Sequence, residues 1–206
     1  MSKELATSLS STTNLAAVPA RPLSVGLRTV GIVFAGSALV AGCARVAVPL
    51  YFTPVPLSLA PFAVLVLGLL LRPRLAAATL GAYLVEGALG LPVFAPTPLA
   101  PGGLAHLFGP TAFTGGYLLS YPLAAAFIAF LVRRTNRGFV PSTLSAAAGS
   151  LVILFCGAAW LAVLIHASAQ SVLKLSVLPF LPGDGLKVVA AAALAAGWVR
   201  LRHRSP

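Results

Sequence analysis

The stretch LGLLLRPRLAAA, Leu67 to Ala78, decides how this chain is folded. An apolar run stops at Arg72, a proline stands between two arginines, and a second apolar run begins. Proline has no backbone N–H and drives the residue before it out of the helical region, so a helix ends here and a new one starts. Two guanidinium groups are costly in hydrocarbon, which places the turn at a membrane surface. The runs on either side, Leu57–Leu71 and Leu75–Leu91, are short for the about 20 residues that cross a bilayer. They read as short helices held inside a bundle, or as a shallow hairpin. Two separate spans are preferred because the remaining charges then fall into place.

Outward from that turn the chain is uniformly apolar. It is 59% hydrophobic and 8% charged over 206 residues, against about 25% charged for a soluble domain. Such a chain cannot cover itself in water, and it reads as an integral membrane protein. Four further apolar runs, Leu23–Pro49, Phe113–Val132, Leu144–Leu173 and Gly185–Leu201, bring the candidate spans to six. Alternating sides from a cytoplasmic amino terminus puts eleven of the fourteen basic residues inside, as the positive-inside rule requires. A count of four or five spans strands an arginine cluster outside. The expected fold is therefore all-α: a polytopic bundle of six transmembrane helices with both termini cytoplasmic. Residues 1–22 read as a disordered cytoplasmic tail, 23–201 as the membrane domain and 202–206 as a short basic tail. The polar end of the fifth run, LIHASAQSVLK, is expected to protrude.

Composition also excludes functions. The net charge of +11 is dispersed in small groups between apolar runs, so it reports orientation and not a nucleic-acid surface. Cys43 and Cys156 lie inside apolar runs and read as packing residues. There is no metal-binding cysteine or histidine spacing and no phosphate-binding GxxxxGK[ST] loop, so no cofactor or metal is expected and the chain does not power itself through such a loop.

The costly residues collect at one end. Under the six-span topology Arg45, Glu86, His166, Gln170, Asp184 and Lys187 all fall in the outer half of the membrane. Ionisable groups there usually face a bundle interior or a cavity. In PGDGLK, Asp184 suits a helix N-terminus and Lys187 stands three residues on, so the pair reads equally as a cap with a partner or as a site. Glu86, inside GAYLVEGALG, has no capping role and requires a partner or a ligand. His166 reads as an ordinary helical histidine, and His106 carries no signal of its own. The outer loops, VPLYFTPVPLS (48–58) and residues 90–117, are rich in proline and glycine and nearly uncharged, as suits a cover over a small-molecule pocket.

Four segments in order, YFTPVPLSLAPFAVLVLGLLLRPRLA, GAYLVEGALGLPVFAP, GPTAFTGGYLLSYPLAA and PFLPGDGLK, resemble the biotin-specific S component (BioY) of energy-coupling factor (ECF) transporters, over roughly Leu23 to Arg200. The resemblance implies a six-helix bundle in the cell membrane of a bacterium or archaeon. It implies capture of biotin from outside and energising by a transmembrane coupling subunit and two cytoplasmic ATPases. It assigns Asp184 and Lys187 to the biotin site, and Gly90–Phe94, Gly109–Thr111 and Gly115–Tyr117 to the loop that closes over the vitamin. Ala112, Phe113 and Thr114 interrupt the family's GPTGGY pattern. The candidate substrate-binding set is Asp184, Lys187, Glu86, Tyr83, Gly103, Gly109 and Tyr117. An S component for another vitamin, an intramembrane enzyme using Glu86 with a histidine, and a structural membrane subunit stand as alternatives.

Overall fold

The computed structural model describes residues 23–97 and 102–204. The tail expected at 1–22 lies outside the described residues. The described chain is helical, with one two-stranded exception. Helix α1 (Leu23–Arg45) leads into strands β1 (Ala47–Val48) and β2 (Leu57–Ser58), followed by α2 (Ala60–Leu70) and α3 (Pro73–Ala88). Then come α4 (Leu104–Phe108), α5 (Gly115–Val132), α6 (Phe139–Ile165), α7 (Ala169–Ser176) and α8 (Leu181–Arg204).

The turn between α2 and α3 forms as its sequence dictates. Leu71 and Arg72 are extended, and Pro73 occupies the first turn of α3, where its missing N–H costs nothing. The turn leaves α2 only 11 residues long, about 16 Å at the helical rise. That is well short of the about 30 Å of bilayer hydrocarbon. Its residues from Ala63 to Leu69 are all buried, and it packs against α1, α3, α5, α6 and α8. A helix that is apolar all round belongs in an interior. Of the two readings open for this segment, the short helix held inside the bundle is the one observed.

Three helices, α1, α5 and α6, are long and apolar enough to cross a membrane; α7 and α8 together form a fourth candidate, bent by 53° at their junction. Helices α5 and α6 pack closely because glycines remove the intervening side chains. Gly116 lies on the Trp160 side chain, Gly149 on Ile128 and Gly157 on the Tyr117 ring.

Two expectations require correction. The segment after α6 does not simply protrude. His166 ends α6 in the left-handed conformation, the Ser168 side chain caps α7 by accepting from the Ser171 N–H, and Val172 and Ser176 turn inward. Two inward-facing residues spaced by one helical turn suffice to hold a short amphipathic helix against the bundle. Helix α8 also begins before the glycine at 185, so Asp184 lies in its first turn and is not its cap. The Asp184 N–H already makes a helical bond to the Phe180 carbonyl.

Candidate functional site

The first turns of α8 set the charged wall of the site. Three residues apart on a helix, Asp184 and Lys187 point the same way. Lys187 Nζ donates to Asp184 Oδ1 at 3.0 Å, and both side chains are about nine-tenths buried. The single bond leaves ammonium N–H donors and the second carboxylate oxygen for another partner. A buried ion pair is weak evidence for stability, since desolvation offsets its attraction. Its position on a cavity wall gives it a different meaning.

That cavity, with about 50 Å³ of free space, is enclosed by Tyr83 from α3, Tyr117 and Tyr121 from α5, Phe180, and His106 from α4. The tyrosines are locked in place. Tyr83 Oη donates to the Val93 carbonyl at 3.2 Å, its ring meets Phe94 edge-on at 5.4 Å, and it stacks near Tyr121 at 6.4 Å. Tyr117 Oη donates to the Ser176 carbonyl at 2.8 Å, which ties α7 to α5. An alanine at 87 would place its Cβ inside the Phe94 ring, so Gly87 is what admits Phe94 over the end of α3.

The cavity opens toward the loops. Pro56 and Thr114 are shared with a neighbouring space of about 270 Å³ between the two proline-rich loops. Ala95 and His106 are shared with an outer space of about 560 Å³ that Arg45, Gly90 and Gly103 help to line. Gly103 holds φ 72 and ψ −152, a backbone region available essentially only to glycine, and so lets α4 start over the pocket.

The structure therefore gathers Asp184, Lys187, Tyr83 and Tyr117 around one cavity and puts Gly103 on its outer approach. Gly109 ends α4, with no part in the cavity wall. Glu86 faces away: its carboxylate accepts from the Ser37 hydroxyl of α1, and it does not line the cavity. His166 and Gln170 are exposed and also stand off the site. His106 and Thr114 were missed in the sequence. His106 is buried, its ring lies 5.0 Å from Phe94, and its Nε2 is 3.3 Å from Thr114 Oγ1. Thr114 closes the Ala112–Thr114 stretch, which directly precedes the start of α5 at Gly115. Ala112 is fully buried there, and its carbonyl accepts from Trp160 Nε1 at 2.8 Å.

An aromatic cavity walled by a buried ion pair, at one end of an apolar helical bundle, defines a membrane-embedded binding protein for a small molecule that carries polar groups. Comparison with known proteins gives the family. The BioY family model matches residues 11–204, and the chain belongs to the BioY family. It is 40% identical over 142 residues to a probable biotin transporter BioY of Pyrococcus horikoshii, covering 69% of this chain and 79% of that protein. It is 32% identical to the biotin transporter BioY of Thermotoga maritima, covering 77% of this chain and 88% of that protein. A crystal structure of the S-component for biotin from an ECF-type ABC transporter superposes with a TM-score of 0.77 at 25% identity, over 90% of this chain and 96% of that one.

Proposed function

We propose that this chain is the substrate-capture component of an ECF-type importer, taking biotin from outside the cell. The carrying observation is the Asp184–Lys187 pair, buried yet open to an aromatic cavity. Biotin offers a ureido ring with two N–H donors beside one carbonyl acceptor. Asp184 accepts from the N–H, Lys187 donates to the carbonyl, and the tyrosines cover the ring faces. Charge-assisted bonds of this kind are about twice as strong as neutral ones. The valerate chain then runs past His106 toward the outer space, where Arg45 meets the carboxylate.

The proposed setting is the cell membrane, with α1, α2, α3, α5, α6 and the bent α7–α8 pair as six membrane segments and both termini cytoplasmic. Cysteines introduced at Lys174 and Asn136, both exposed, are then labelled from outside and only from inside, respectively. External labelling of position 136 would overturn the topology. Partner subunits, a transmembrane coupling protein and two ATPases, supply the energy. A stripe on α1 suits that docking. Gly31, Ala35, Ala38 and Gly42 are all exposed, while Gly36, Ser37, Val40 and Ala44 face the bundle. Small residues allow transmembrane backbones to approach closely. Ala35→Trp should abolish co-purification with the coupling subunit and leave biotin binding intact; normal co-purification removes the stripe from the interface.

The function itself is tested by thermal stability of the detergent-purified protein against a panel of vitamins. Biotin at a hundred times its dissociation constant should add about 2.7 kcal/mol. Stabilisation by a different vitamin and not by biotin would give the substrate site to that molecule. The acid–base reading of Glu86 finds no geometric support, because Glu86 is bonded to Ser37 and does not line the cavity that holds His106.

A further inference from the structure

At the end of the bundle opposite the ion pair, five arginines from four parts of the chain line one open cavity of about 530 Å³. Arg28 comes from α1, Arg72 from the α2–α3 turn, Arg133 and Arg137 from the segment between α5 and α6, and Arg202 from the last turns of α8. Orientation in the membrane requires basic residues at this end, but it does not require them to converge. Arg74 and Arg134 serve orientation without joining the cavity, and Arg134 lies over the Phe130 ring instead. Among the described residues the carboxylates are Glu86 and Asp184, and both are engaged elsewhere. Nothing in the described chain compensates the five charges.

The cavity is also apolar on one side. Ile32, Leu70, Leu71 and Leu75 form a half-buried wall, and Trp198 lies at the rim with Arg202 stacked 5.2 Å over its ring. Free phosphate has no use for such a wall, whereas a molecule with a phosphate head and hydrocarbon chains uses both surfaces. Arginine's planar fork matches phosphate oxygens, tryptophan favours the membrane interface, and basic pockets between membrane helices are sites for anionic headgroups. We propose that this cavity binds the phosphodiester headgroup of an anionic phospholipid, with its acyl chains against the leucine wall.

The test uses the full chain, purified in detergent and stripped of lipid. Phosphatidylglycerol should raise its melting temperature saturably, by about 5 °C at a hundred times the dissociation constant. Phosphatidylcholine at the same mole fraction should not. The triple variant Arg72→Gln, Arg133→Gln, Arg137→Gln should lose the shift, while Arg74→Gln with Arg134→Gln should keep it. Biotin binding at wild-type affinity reports that each variant is folded. If the triple variant does not fold, Arg72→Gln and Arg133→Gln alone should each at least halve the shift. Equal shifts with phosphatidylcholine, or a full shift retained in the variants of Arg72, Arg133 and Arg137, would overturn the proposal. An equal shift with inorganic phosphate would show that the ligand is a free anion and overturn the lipid assignment. Loss of coupling-subunit binding with an undiminished lipid shift would give the arginines to a protein partner and overturn it as well.

Discussion

The two ends of this bundle treat charge in opposite ways. At one end a single acid and a single lysine are paired, buried and enclosed by three tyrosines. At the other, five arginines share a cavity with no acid beside them among the described residues. A buried pair is neutral as a unit and presents directional donors and acceptors, which suits recognition of a neutral polar ring. An uncompensated set of exposed like charges has little direction and long reach, which suits a membrane surface or an anion. Charge is thus paired and desolvated at one end, and convergent and largely exposed at the other.

The largest effect expected from this contrast is at the pair. Lys187→Ala leaves Asp184 buried without its partner, and biotin affinity should fall at least tenfold, about 1.4 kcal/mol. Arg133→Gln at the far end should leave the affinity within about twofold, under about 0.5 kcal/mol. Similar losses from both would show that the ends are not separate. Next in size is Gly87→Ala. Its Cβ displaces Phe94, and overpacking of this kind costs about 1–3 kcal/mol of stability. Thermal unfolding measures that loss, and biotin affinity should fall about fivefold, near 1 kcal/mol, as the cavity deforms. Unchanged stability and affinity would mean the loop is not packed on α3.

Tyr83→Phe is milder. It removes one hydrogen bond to the Val93 carbonyl, worth about 1 kcal/mol. A threefold weaker biotin affinity, about 0.65 kcal/mol, is expected by calorimetry. The smallest effect belongs to Glu86→Gln, where the Ser37 contact persists in neutral form. Affinity should change less than about twofold, under about 0.5 kcal/mol. A tenfold loss would return Glu86 to the binding set.

These residues also show what the sequence carries. Asp184 and Lys187 are legible because a charge in an apolar chain is conspicuous and their spacing on a helix fixes their mutual contact. The Arg72–Pro73–Arg74 turn is legible because proline acts locally on its neighbours. Glu86 is conspicuous for the same reason as Asp184, but its partner Ser37 lies 49 residues away among other small residues. Its direction depends on how α1 packs on α3, which no local pattern encodes. His106 lies on the five-residue helix α4 and Thr114 just before α5, stretches too short to carry a periodicity, so only the folded chain brings them together over the tyrosines. Helix α7 is too short for its apolar positions to announce a packed face.

The central claim is that the ureido ring of biotin lies against Asp184. A double-mutant cycle tests it most directly, by calorimetric titration of wild type and Asp184→Asn with biotin and with a biotin methylated on the ureido nitrogens. If Asp184 accepts from the ureido N–H, methylation weakens binding to wild type far more than to Asp184→Asn, with a coupling energy of about 1 kcal/mol or more. Additive effects, with methylation equally harmful to both proteins, would place the ureido ring elsewhere.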